Sequence, residues 1–174
     1  MSENKTPRVN SGKIVGQVDA TQMPRYGGIA TFALLPQINE VTDVDVAIVF
    51  GIRATFANVA TPNEKIAKFC KDTKTKTIGF MALDPSDADV LEQMKDGIRL
   101  GLKGIKLYPV LAHFDPRDTK YDSFFIEAQK NELVILWHVG ATPSPHGDLS
   151  ISHPLIIDDV ARRFPGLTQI MAHL

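Results

Sequence analysis

Leu133-Val134-Ile135-Leu136-Trp137-His138-Val139-Gly140 decides the fold. An unbroken apolar run ends in a histidine, with a helix-length segment before it. A strand covered on both faces reads this way, because neither face alternates with solvent. The design recurs at Thr168-Gln169-Ile170-Met171-Ala172-His173-Leu174. An imidazole at the carboxyl end of a parallel strand stands where α/β proteins build their sites. Two such histidines, one βα unit apart, imply a metal or proton-transfer site at the mouth of a barrel. The second is followed by a single residue, so the site is expected to be cut short.

Working outward, strands are expected at Asp45–Ile52, Thr77–Leu83, Gly104–Tyr108, Val134–Val139 and Gln169–His173. Helices fill the gaps. Thr61-Pro62-Asn63-Glu64 has the pattern of a capping box with proline at the first helical position, and Ile66, Ala67, Phe69 and Cys70 follow as its buried stripe. Asp84-Pro85-Ser86 opens a second helix, with Val90, Leu91, Met94 and Ile98 inward and Gly101 as the stop. Tyr121 to Lys130 carries Phe124, Phe125 and Ala128 on one face. Ser152-His153-Pro154 opens the fourth helix, which bears Leu155, Ile156, Val160 and Phe164 and ends at Pro165-Gly166.

Strands alternating with helices of this length indicate βαβ units, a parallel sheet and right-handed crossovers. A closed eight-stranded barrel typically needs ~250 residues, and this chain has 174. The expected fold class is therefore α/β, a partial (β/α)8 TIM-type barrel of about strands two to six with intervening helices. Residues 45–174 form that domain. Residues 1–44 form an irregular, turn-rich leader, with the first ten residues disordered.

Composition narrows the partners. A formal net charge of -1 gives no electrostatic basis for binding nucleic acid or an anionic membrane. No apolar run reaches the ~18 residues of a membrane span, and Met1 to Asn10 lack the apolar core of a secretory signal. Cys70 is the single cysteine, which excludes an intrachain disulfide and fits a reducing cytoplasm. On the apolar side of its helix it reads as a small core residue rather than a nucleophile.

Seven motifs in order carry a family resemblance: Val49-Phe50-Gly51, Thr61-Pro62-Asn63-Glu64, Ile78 to Pro85, Gly101 to Pro109, Trp137-His138-Val139-Gly140, Arg163-Phe164-Pro165-Gly166-Leu167 and Ala172-His173-Leu174. From about Asp45 onward the chain resembles the amidohydrolase-related family, the branch that includes aminocarboxymuconate-semialdehyde decarboxylase. The first part, Val18-Asp19-Ala20-Thr21 and Pro24 to Phe32, resembles the leader of the agmatinase/arginase (ureohydrolase) family. A chimera joined near Val46–Val49 is the expectation, with a divergent amidohydrolase leader as the alternative.

The amidohydrolase resemblance implies a divalent metal, zinc in the parent enzyme, and a small-molecule substrate. It makes His138 the metal ligand after strand five and His173 the proton-transfer histidine after strand six. Nothing matches the family's His-x-His on strand one, and its aspartate after strand eight would lie past the end. The implied function is a fragment of a metal-dependent hydrolase or carboxy-lyase, inactive as this chain. Its rivals are an agmatinase-like ureohydrolase and a non-catalytic pseudoenzyme or interaction fragment, stable only with a partner chain. Self-association through open sheet edges is expected of the isolated chain.

Other residues have plainer readings. His113 is a loop residue, and His146 and His153 are solvent-facing or capping. Lys106 has a structural or substrate-side role rather than that of a carboxylated bridging lysine. Trp137 should point to the helices, opposite His138, and Asp84 starts a turn with Pro85.

Overall fold

The computed structural model describes residues 46–73 and 76–173. The leader, and with it the domain division at residue 44, lies outside the described residues, as does Leu174.

Five strands form one parallel sheet: β1 (Ala47–Phe50), β4 (Thr77–Ala82), β5 (Gly104–Leu107), β6 (Val134–His138) and β7 (Gln169–Ala172), adjacent in that order. Between β1 and β4 sit a short antiparallel hairpin, β2 (Arg53–Ala54) with β3 (Val59–Ala60), and the helix α1 (Asn63–Asp72). The later crossovers carry α2 (Val90–Arg99), a short α3 (Pro109–Ala112) with α4 (Asp122–Lys130), and α5 (Pro154–Arg163). This is part of a TIM-type barrel, built as the alternation of apolar runs and helical stripes requires.

The period of two along each strand sorts the sheet into two faces. Val49, Met81, Ile105, Leu107, Ile135 and Trp137 belong to the main core, together with Ile66, Met94, Phe124, Phe125 and Val160 from the helices. Phe50, Phe80 and Leu136 form a second cluster on the other face, flanked by partly buried Ile48, Ile78, Val134, Ile170 and Ala172. That second face is the one a barrel turns inward. Trp137 lies on the helix side as expected: its ring packs 5.9 Å from that of Phe125 and its Nε1–H donates to Gln169 Oε1 at 2.9 Å. Gly104 has no room for a side chain, because a Cβ there would come within 2.6 Å of the Phe80 ring and of the Val134 carbonyl oxygen.

Two expected helix starts are corrected. The box at Thr61 does not form. Its hydroxyl is buried and accepts from the Ile52 amide at 3.1 Å, so α1 begins at Asn63 with Pro62 as its cap. Asn63 instead ties the helix start to β4, its Oδ1 accepting from the Ala82 amide at 2.8 Å. The second helix starts at Val90, not after Asp84. Asp84 is fully buried and accepts from the Ser86 amide at 2.9 Å and the Thr55 amide at 2.8 Å. It thus makes the turn with Pro85 and also anchors the β2–β3 hairpin. Asp87 completes that anchor by binding Arg53 and the Thr55 hydroxyl. No helix among the described residues is long and apolar enough to cross a membrane.

Candidate active site

In parallel register, Leu136 lies beside Lys106 and Ile170, and His138 lies beside Ala172. Leu136 and Ala172 belong to the inward face, so Lys106 and His138 project there too, at the carboxyl end of the sheet. His173 follows β7 directly in a left-handed conformation, φ 67°. The rings of His138 and His173 come within 4.9 Å of each other, and Tyr108 packs on His138 at 3.9 Å. The structure therefore brings together both histidines singled out from the sequence.

The loop after β6 fixes the His138 ring. Gly140 takes φ 87°, a conformation glycine adopts without strain. Its amide donates to the Ser152 carbonyl at 2.8 Å, and the Ser152 hydroxyl donates back to the Gly140 carbonyl at 2.6 Å. This clamp holds the Ala141 carbonyl 2.9 Å from His138 Nε2. A carbonyl only accepts, so Nε2 carries the proton and the neutral ring keeps its lone pair on Nδ1. That Nδ1 is buried and has no hydrogen-bond partner among the described residues.

Burial pushes His138 down to about 4, with the nearby charges of Lys106 and His173 adding to it against the opposing Ala141 bond. Its imidazole is therefore neutral at neutral pH, the form that binds metals. His173 is exposed, and it is lowered by desolvation first and Lys106 second. Lys106 is 3% exposed and burial lowers its ammonium to about 7. Burial also raises Tyr108, partly offset by the hydrogen bond its hydroxyl makes to Thr142 Oγ1 at 2.9 Å.

The remaining candidates fall away from this cluster. His113 caps α3, stacks on exposed Phe56 at 3.8 Å and bonds the His146 carbonyl through Nε2. His153 caps α5, its Nδ1 accepting from the Leu155 amide at 3.2 Å. Cys70 is half-buried, with its thiol raised by burial, as an inert core residue would be. A cleft of about 350 Å³ near Arg53, Pro62, Glu64, Asp89 and Gln93 includes none of the inward-face ionisable groups. The ionisable groups gather on the inward face of the sheet instead, where Lys106 and His138 are buried.

A buried imidazole nitrogen with a free lone pair, its other nitrogen donating to a backbone carbonyl, is the arrangement of a metal-binding histidine. The donor chemistry of His138 fits a divalent ion at one position. Among the described residues, no three His, Cys, Asp or Glu side chains converge to complete a shell.

A parallel α/β sheet with ionisable side chains gathered at its carboxyl end belongs to the TIM-barrel class of proteins. The sequence profile described as Amidohydrolase matches residues 19–174, and the chain belongs to the amidohydrolase family. That match runs through most of the stretch that resembles a ureohydrolase leader, and neither the second resemblance nor the chimera gains support from it. No curated protein matches the chain. Among solved structures, an uncharacterised TIM-barrel protein from Bordetella bronchiseptica is 17% identical with a TM-score of 0.67, covering 81% of this chain and 50% of its own. The 5-carboxyvanillate decarboxylase of Novosphingobium aromaticivorans, solved with bound manganese, is 15% identical with a TM-score of 0.59, covering 79% and 49%. A 2,6-dihydroxybenzoate decarboxylase from Rhizobium is 13% identical with a TM-score of 0.56, covering 81% and 55%. The chain thus spans about half the length of these structures, with which it shares the fold.

Proposed function

We propose that the concave mouth at His138 and His173 is part of the active site of a metal-dependent amidohydrolase-type enzyme, a hydrolase or carboxy-lyase acting on a small molecule. The observation that carries this reading is the buried Nδ1 of His138, which has no partner among the described residues. Family membership supports it, as does the manganese held by one structural relative. Zinc is our choice of ion, because neutral imidazole suits it well. When bound, a divalent ion supplies Lewis-acid polarisation of a substrate oxygen. This chain's residues do the rest. His138 binds through Nδ1 and is held in the required tautomer by the Ala141 carbonyl. His173, neutral and exposed beside it, accepts or returns a proton at its ring.

A catalytic zinc site uses about three protein ligands. With one buried donor and one neighbouring histidine among the described residues, zinc binding is weak, and turnover by this chain is correspondingly low. Calorimetric zinc titration tests the reading. Binding should vanish in His138→Ala and persist in His173→Ala. Binding of equal strength in wild type and His138→Ala would remove His138 from the site and the proposal with it.

A further inference from the structure

Lys106 is the inward-face group that the metal reading leaves unused. It lies on β5 between Ala82 and Leu136, almost wholly buried. Its ammonium stands over two ring faces, Phe50 at 5.4 Å and Tyr108 at 5.7 Å. No salt bridge or hydrogen bond to Lys106 occurs among the described residues. The acids of the neighbouring loop are already engaged. Asp84 receives the Thr55 and Ser86 amides, and Asp87 receives Arg53, Thr55 and Gln93. His138 and His173 both feel the Lys106 charge, which opposes their protonation. The concave face thus carries three basic side chains with no acid described among them.

A largely buried ammonium with no counter-charge among the described residues is costly, and aromatic faces offset only part of that cost. An arriving anion would supply both the missing charge and a charge-assisted hydrogen bond. The surroundings favour an anion with an apolar body, since Phe50, Phe80 and Leu136 floor the face.

We propose that Lys106 is the substrate-anchoring residue of this mouth, taking the carboxylate of a small apolar acid held against the rings of Phe50 and Tyr108. The inference rests on the mouth being a substrate site. The two can fail separately, because one is read by zinc at His138 and the other by a metal-free carboxylate probe at Lys106.

Benzoate is the probe, with neutral benzamide as its control, both added to the metal-free full chain. In competitive acetylation read by mass spectrometry, benzoate should slow modification of Lys106 and leave exposed Lys120 unchanged. Benzamide should protect neither. By calorimetry, Lys106→Met should weaken benzoate binding about tenfold or more, the loss of one charge-assisted hydrogen bond. Lys106→Arg should retain it, and thermal melts establish that both variants fold. No benzoate binding by wild type, or equal binding by wild type and Lys106→Met, would overturn the proposal. So would carbodiimide coupling of Lys106 to a carboxylate of the chain itself, which would mean the chain supplies its own anion.

Discussion

Lys106→Met removes a buried charge while keeping most of the aliphatic stem, and its effect on stability should depend strongly on pH. Burial lowers Lys106 from 10.5 to about 7 in the folded chain. At about 1.36 kcal/mol for each tenfold change in proton affinity, that difference comes to roughly 5 kcal/mol. Below about pH 7 the lysine is charged in both states, and the folded state bears the whole penalty. Between about 7 and 10.5 the unfolded chain still holds the proton that the folded chain has released, so stability rises with pH. Above 10.5 the penalty is gone. Removing the charge should therefore leave the variant more stable than wild type near pH 6 by an amount on the order of that penalty. Urea midpoints of the two proteins, measured side by side from pH 6 to 10, read this out. The curves should start apart and converge as pH rises. Cys70, raised by burial, titrates in both proteins and cancels in the comparison. Parallel curves, or a variant less stable than wild type at pH 6, would refute the burial argument.

Gly104→Ala should cost about 1–3 kcal/mol in urea melts, since the new methyl meets the Phe80 ring and a backbone oxygen that cannot move aside. An unchanged midpoint would show that β5 and β6 can spread. Asp84→Ala should speed hydrogen exchange at the Thr55 and Ser86 amides and destabilise by about 1–3 kcal/mol, because both lose a buried acceptor. Protection equal to wild type would assign the hairpin's hold to Asp87. Among the described residues β1 and β7 each pair on one side only, and open edges of this kind invite pairing with another chain. Sedimentation at rising concentration should show self-association, reduced by Met171→Lys on β7. A monodisperse monomer throughout would mean that the edges are covered.

Much of this fold was legible because parallel strands buried on both faces leave unmistakable apolar runs, as at Leu133 to Trp137. The helix stripes at Phe124, Phe125 and Ala128 were equally plain, since packing fixes them. Helix starts were less so. Thr61 and Asp84 have the chemistry of caps, but a distant amide captured each one: Ile52 for Thr61 and Thr55 for Asp84. Sequence spacing does not announce a partner twenty-nine residues away. The β2–β3 hairpin was invisible because two-residue strands have no period to read. At the site, strand-end position pointed to His138 and His173. That Nδ1 of His138 lacks a partner among the described residues depends on where the loop puts the Ala141 carbonyl, which no local pattern encodes. Lys106 reads in the sequence only as structural or substrate-side. Its inward direction and its lack of a counter-charge among the described residues follow from register with Leu136 and from neighbours far along the chain.

Whether His138 presents Nδ1 to a divalent ion is read out by an anomalous difference map from zinc-soaked crystals. A peak is expected at about 2.0–2.1 Å from Nδ1, the usual zinc–imidazole distance, with Nε2 still bonded to the Ala141 carbonyl. A zinc peak on Nε2, or zinc bound elsewhere with Nδ1 left bare, would contradict it.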